Sequence, residues 1–422
     1  MKFYNKNLNF CLLLVFSFIQ LYMMATVYMQ AVSPIFQVLF WGSVFVSFFA
    51  YFIPILKKER NLGKIEIIYF LYLIYILLSV IRVNDTLLMI YGMYEYIIFT
   101  MCFFSVAFIL SNKLLTSYLV DESIKVFKVI VSIVVGLGLF EFKTGHLVAE
   151  GIAHVFGNPN LINIRAQVFS GSPLIFGTLT ASYALFFQYL FMKKKEYGYL
   201  LLSFVSFGGV LLTGSRGPLV AVIVAAIFQL LTNIPVRRII DRISKKNRLV
   251  LLISLGVLLI SVFIFLGAYQ GTNPILLKVV SIVDWSSDIG NIGRLNTWVK
   301  SIEEFLNNWL IGRGISTTGS VTLSHPLNIG VTESSILKVL VELGLVGFIF
   351  YFGILLAIFT RGIKNIRNKD IMHRYEIILG LSLMMLIFIE GSILQITEIF
   401  NASVILWSGA GGVYWLTQEI EH

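Results

Sequence analysis

The stretch YGYLLLSFVSFGGVLLTGSRGPLVAVIVAAIFQLLTNIPV, residues 197–236, carries a single charged side chain, Arg216. At about 20 apolar residues per membrane crossing it is long enough for two helices, one on each side of Thr213-Gly214-Ser215-Arg216-Gly217. Lys193, Lys194 and Lys195 precede it, and Arg237 and Arg238 follow it. A charged side chain at the middle of a bilayer costs roughly 2.5–3.5 kcal/mol, so Arg216 belongs at a helix end or against a wet cavity. The planar fork of arginine suits bidentate binding of phosphate, which makes an anionic ligand the natural reason for its presence. A snorkelling or loop arginine is the plainer alternative.

The whole chain reads the same way. Its 422 residues are 58% hydrophobic and 13% charged, with a mean hydropathy of +0.87, which excludes a soluble globule and indicates an all-α polytopic membrane protein. The net charge of +10 is spread over short clusters between apolar runs, the pattern that sets membrane topology, so no nucleic-acid partner is expected. Cys11 and Cys102 sit inside apolar runs, and the five histidines are scattered. Neither a disulfide framework nor a metal cluster is indicated. The run from Leu8 to Met29 is longer than a signal-peptide core and is expected to remain as the first membrane helix.

Spans are expected near residues 8–29, 33–55, 65–81, 87–111, 124–142, 173–192, 197–213, 218–235, 249–268, 334–360, 376–396 and 402–416, twelve in all with both termini inside. Of the 32 basic residues, all but Arg82, Lys143, Arg165, Arg216, Lys278, Arg294, Lys300, Arg313 and Lys338 fall on the connections assigned to the inside. The chain divides into residues 1–268, nine spans with an outer loop near 143–172, then a long outer loop at 269–333, then residues 334–422 with three more spans. Loops of that length are usually functional or disordered. Within 269–333, Arg294 to Leu310 places Leu295, Trp298, Val299, Ile302, Leu306 and Trp309 at helical spacing, an amphipathic helix lying on the membrane or, alternatively, a packed lid.

On the outer side, Arg165, Arg216 and Arg294 stand next to glycine or helix starts, where they would converge on one diphosphate and stabilise charge as it leaves. Arg313 and Arg82 are weaker candidates for that anion. Candidate bases that would take a proton from a hydroxyl are Glu333, His325, Asp284 and Asp288. Glu333, in Thr332-Glu333-Ser334-Ser335 at a helix start, is the first choice, although an acid in a first turn is also favoured simply by the helix dipole. His325 is second, against the reading of a surface-loop histidine. Glu95, Glu141, Glu342 and Glu390 lie inside apolar spans and are candidates for function because an unpartnered acid there is costly. They keep an ion-coupled transporter open as a different class of function. For Glu342, a structural role at a glycine-lined helix contact is equally open.

These same residues resemble the O-antigen ligase and polymerase superfamily over about residues 165–360. The marks are Arg165 followed by Phe169, Ser172 and Pro173; Thr213 to Gly217; Gly293-Arg294 with Trp298; Trp309 to Gly314; and Glu333 to Leu337 running into Val341 to Gly347. Ligases of this superfamily resemble one another in a His-Asn pair where this chain has Glu333-Ser334, a difference that favours a Wzy-type repeat-unit polymerase. The resemblance implies a type-C glycosyltransferase-like fold and a metal-independent enzyme without cofactor in the bacterial plasma membrane. It also implies undecaprenyl-diphosphate-linked oligosaccharide as donor and acceptor, with the active site on the outer face. Under it, Arg216, Glu333 and His325 are the catalytic candidates, and Arg165, Arg216, Arg294 and Arg313 bind diphosphate. The product would be O-antigen, capsule or exopolysaccharide, with a chain-length regulator and a flippase of the same pathway as further partners. A ligase, or a lipid-linked oligosaccharide flippase, is the alternative.

Overall fold

The computed structural model describes residues 33–83, 85–111, 113–144, 166–170, 172–233, 289–320, 322–367 and 373–418. Among them are eleven helices and no strand: α1 Ser33–Leu56, α2 Lys64–Val83, α3 Thr86–Ser111, α4 Lys113–Thr144, α5 Pro173–Lys194, α6 Tyr197–Thr213, α7 Arg216–Asn233, α8 Ile289–Asn307, α9 Ser335–Ile366, α10 Arg374–Ile393 and α11 Phe400–Gln418. Five of these, α2, α3, α5, α9 and α10, are long and apolar enough to cross a membrane, and α1, α6 and α7 contain shorter apolar helices. The chain is therefore a multi-pass helical membrane protein. Every expected span coincides with one of the helices except those near 8–29 and 249–268, which lie outside the described residues. The span expected at 124–142 is the core of a longer helix, and the amphipathic helix begins at Ile289 rather than Arg294 and stops at Asn307.

Helix boundaries follow from local chemistry. Asp85 caps α3 by accepting from the amides of Leu87 and Leu88 at 3.0 and 3.1 Å, and Ser172 caps α5 with Pro173 in its first turn. Gly214, at φ 57°, ends α6 in the left-handed region, and α7 begins two residues later at Arg216. The main core lies where α3, α9, α10 and α11 meet, around Phe103, Tyr351, Leu381 and Trp407. A second cluster, around Val135, Phe176, Phe187 and Tyr199, joins α4, α5 and α6.

Two irregularities shape the interior. A π-helical turn at Tyr94–Ile98 interrupts α3, and the Tyr72 hydroxyl donates to the Tyr96 carbonyl at 2.9 Å there. In α9 the chain leaves helical geometry at Gly344, with φ 64° and ψ −171°. The backbone groups released by that kink are taken up by the turn after α8. The amides of Leu345 and Val346 donate to the carbonyls of Trp309 and Leu310, and the amides of Arg313 and Gly314 donate to the carbonyls of Val341 and Glu342. Tyr75 closes the joint by donating to Leu343 O at 2.5 Å, and Arg82 by donating to Ile311 O and Gly312 O at 2.8 and 2.9 Å. The sequences Trp309–Gly314 and Val341–Gly347 are thus two halves of one interlock.

A Cβ on Gly344 would collide with the Gly312 backbone nitrogen, and one on Gly312 with the Glu342 carbonyl oxygen. Gly344→Ala is expected to lose about 1–2 kcal/mol through its left-handed backbone alone, with the collision added. Gly42→Ala, where a Cβ meets open space, is the control. A thermal midpoint for Gly344→Ala no lower than the control's would contradict the interlock.

The helix ends sort into two groups. At one end, Lys193 pairs with Glu376 at 2.5 Å, Arg374 donates to the Thr232 carbonyl, and Arg361 to the Thr417 carbonyl. At the other, the ends of α2 and α10 meet the starts of α3, α7 and α9 together with the α8 to α9 connection. The candidate site lies at this second end.

Candidate functional site

The site is built on three backbone breaks: the two-residue gap between α6 and α7, the start of α9, and the segment that follows α10. Gly217, the second residue of α7, packs so closely on Leu394 that a Cβ would lie 2.6 Å from its Cδ1. The Leu394 carbonyl in turn accepts from the Ser335 amide at 3.2 Å and from its hydroxyl at 3.1 Å. Arg216 and Glu333 are therefore each one or two residues from a shared contact at Leu394, though they stand 117 positions apart in the sequence.

Glu333 has a left-handed backbone, φ 51°, a conformation that costs a non-glycine residue about 1 kcal/mol or more and persists only when its surroundings enforce it. Its carbonyl accepts from Trp298 Nε1 at 3.0 Å, and the next residue, Ser334, caps α9. Its carboxylate lies 3.6 Å from Arg294 Nε, with both side chains about one-third exposed. An ion pair so exposed contributes at most about 1 kcal/mol to stability, so its meaning is positional. Arg294, Trp298 and Ser301 form the face of α8 turned towards the start of α9, with Ser301 buried. Leu295, Val299, Ile302 and Leu306 on the remaining surface are exposed, as are Trp309 and Leu310 beyond it. The packed face and the exposed apolar row show that α8 meets the protein on one side and presents the other outward.

The structure does not bring every expected residue to this place. Arg313 Nη1 pairs with Glu304 at 2.7 Å. His325 is engaged on both ring nitrogens, Nε2 with Asp85 at 3.0 Å and Nδ1 as acceptor from the Leu327 amide at 3.2 Å. The latter bond requires the neutral ring to carry its proton on Nε2, donating to Asp85. Arg165, Asp284 and Asp288 lie outside the described residues. The chain resumes at Ala166, whose amide donates to the Leu212 carbonyl, just before Thr213, and Glu141 holds the amides of Gln167 and Val168 at 2.9 Å each. Glu141 is thus a clamp for this segment.

Asp85 joins helix capping to the His325 contact. Its carboxyl is held below the usual carboxylate range chiefly by the Leu88 amide, against some desolvation, and further by His325 and the Leu87 amide. A depressed folded value stabilises the protein above the unfolded value of about 3.9, and that contribution disappears as pH falls through the folded one. Asparagine caps helices as well as aspartate, so Asp85→Asn isolates the charge. The difference in thermal midpoint between wild type and Asp85→Asn is expected to hold steady down to about pH 5 and to shrink below about pH 4. A pH-independent difference would contradict this role.

Behind the start of α9 lies a buried ionic cluster that hydropathy does not reveal. Lys338 Nζ contacts Glu342 Oε1 at 2.9 Å, Glu95 Oε2 at 3.2 Å, Glu398 Oε2 at 3.7 Å and the Thr318 carbonyl at 3.0 Å. Glu342 also accepts from the Thr318 amide and hydroxyl at 2.9 and 2.7 Å and from Tyr96 at 2.7 Å. The π-helical turn presents both Glu95 and Tyr96 to this cluster. Glu390 accepts from Thr178 at 2.7 Å. All four intramembrane acids therefore have partners within the protein. The signal available for the cluster was the i, i+4 pairing of Lys338 with Glu342 in an apolar helix. Among the described residues, no group of three or more His, Cys, Asp or Glu side chains is placed to hold a metal ion.

Fold and site define a multi-pass helical membrane protein with an arginine- and glutamate-bearing site at one end of its bundle and an amphipathic helix beside it. Residues 201–352 match the family described as O-antigen ligase, and that match supports the resemblance to the O-antigen ligase and polymerase superfamily. The match runs from Leu201 in α6 to Phe352 in α9 and takes in α7, α8 and the interlock. No curated protein matches the chain.

Proposed function

We propose that the protein polymerises undecaprenyl-diphosphate-linked oligosaccharide repeat units into a surface polysaccharide on the outer face of a bacterial plasma membrane. The observation that carries this reading is the Glu333 carboxylate held beside Arg294 at the start of α9, with the Arg216 helix start packed on the same Leu394. In the reaction, an acceptor sugar hydroxyl attacks the anomeric carbon of the donor glycan. The bond from that carbon to the lipid diphosphate breaks, and the diphosphate leaves with the electron pair. Glu333 takes the hydroxyl proton and later releases it to solvent. Arg216, with Arg294 and Arg165, binds the lipid-linked diphosphates and stabilises the charge that grows on the leaving group. Arg313 and His325, whose side chains have other partners, support the surrounding turns. The exposed apolar row of α8 rests in the lipid interface, next to the route by which a lipid-linked substrate enters. No metal is required in this scheme, because the arginines supply the positive charge.

The family description favours a second reading, a ligase that transfers finished glycan to another acceptor. A deletion strain separates the two. Loss of a polymerase leaves single-unit glycan at the surface, loss of a ligase leaves polymer on the carrier lipid, and loss of a flippase removes surface glycan altogether. Single-unit glycan is the expected result, and lipid-linked polymer would overturn the polymerase reading.

A further inference from the structure

The left-handed conformation of Glu333 needs a source of constraint, and the neighbouring backbone supplies one that leads inward. The Thr332 amide and hydroxyl both reach Gln395 Oε1, each at 2.7 Å. On its other side, Gln395 Nε2 donates to Glu398 Oε2 at 2.9 Å, the oxygen that lies 3.7 Å from Lys338. Glu398 Oε1 is held by the Ser320 hydroxyl at 2.9 Å. Thr332, Gln395 and Lys338 are all buried, at 1%, 7% and 1% exposure, whereas the Glu333 side chain is turned outward towards Arg294. The polarity of this chain is fixed at every step. Thr332 donates to an amide oxygen, the amide nitrogen donates to a carboxylate, and the carboxylate faces an ammonium group. Only a side chain with one acceptor and one donor fits between a backbone amide and a carboxylate, and glutamine supplies both. On the far side of Glu333, Ser335 Oγ accepts from the Ile396 and Thr397 amides at 2.9 and 3.1 Å, so residues 395–397 grip both flanks of the strained residue.

We infer that Gln395 is a positioning residue, which fixes the Glu333 carboxylate for proton transfer through a buried hydrogen-bonded chain anchored on Lys338. The inference rests on the reading of Glu333 as the base. A base that drifts by about an ångström loses rate while substrate binding is retained, so kcat and KM separate. Gln395→Glu keeps the acceptor for Thr332 but sets a carboxylate against Glu398. Exchanging the two residues, Gln395→Glu with Glu398→Gln, restores a donor and an acceptor with the same net charge.

The test uses the full-length protein in nanodiscs with a synthetic lipid-diphosphate-linked repeat unit, with rates expressed per folded molecule. Gln395→Ala and Gln395→Glu are expected to lower kcat about tenfold or more with the donor KM within about twofold of wild type. The exchanged pair is expected to return to within about threefold of the wild-type kcat. Thr332→Val keeps the side-chain shape and removes the hydroxyl whose single proton is shared between Gln395 Oε1 and the Ser334 carbonyl, at 2.7 and 2.8 Å; it is expected to lower kcat by about threefold and serves if the Gln395 variants do not fold. Wild-type kcat in the folded variants, or kcat and KM changing together without recovery in the exchanged pair, overturns the inference. Glu333→Gln separates the two levels. If it is inactive while the Gln395 and Thr332 variants are normal, the positioning role fails alone. If Glu333→Gln itself has wild-type kcat, the base assignment fails, and the positioning role fails with it.

Discussion

Arg216→Ala is expected to reduce glycan transfer by at least about 100-fold, the effect of deleting one preorganised group that stabilises charge in the transition state. The residue opens α7, where a bound anion would also meet the positive end of the helix. Its backbone is fixed by Gly214 on one side and by the packing of Gly217 on Leu394 on the other. In cells, polymer should vanish while single repeat units still reach the surface. Arg216→Lys keeps the charge and loses the fork, so it should fall between alanine and wild type. Unchanged polymer length and amount at normal protein levels would remove Arg216 from the mechanism.

The largest effect on stability is expected at Lys338. Replacing it with methionine leaves three buried carboxylates without their shared cation, a change of about 3–5 kcal/mol for breaking a buried ionic group. The partners should not suffer equally. Glu342 keeps its bonds from Thr318 and Tyr96, whereas Glu95 Oε1 is buried with no hydrogen-bond partner and its Oε2 depends on Lys338. Adding Glu95→Gln to Lys338→Met should therefore recover more of the lost stability than adding Glu342→Gln. The yield of monodisperse protein and its thermal midpoint report both comparisons. Equal recovery, or no loss in the single variant, would show that the cluster is not the ionic anchor described above.

What the sequence made legible follows from how strongly each feature is written in local chemistry. Hydropathy and basic clusters place the spans because the bilayer penalises every misplaced charge, and the break at Thr213–Gly217 is visible as the one charged interruption in forty apolar positions. Glu333 is readable as a helix start from the serines that follow it. The kink at Gly344 is not readable, because hydropathy runs unbroken through α9 and a positive φ leaves no compositional trace at a glycine. The cluster of Lys338 with residues 95, 342 and 398 joins two helices and the turn after α10, far apart in the chain, and pairing across that distance is a property of packing. Arg313 and His325 illustrate the same limit. Their residue types suit an anion and a proton, but Glu304 and Asp85 claim them, and only the fold brings His325 to Asp85. Gln395 is not readable, because an uncharged polar residue in the last turn of an expected span ordinarily does no more than end a helix.

The most direct measurement uses purified protein in nanodiscs with synthetic undecaprenyl-diphosphate-linked repeat unit and a chelator, with the products resolved by gel. A ladder of increasing lengths is the expected result, lost in Arg216→Ala and Glu333→Gln. Folded protein that gives no ladder with several repeat units, yet moves lipid-linked oligosaccharide across liposome membranes, would contradict the assignment as a polymerase and identify a transporter.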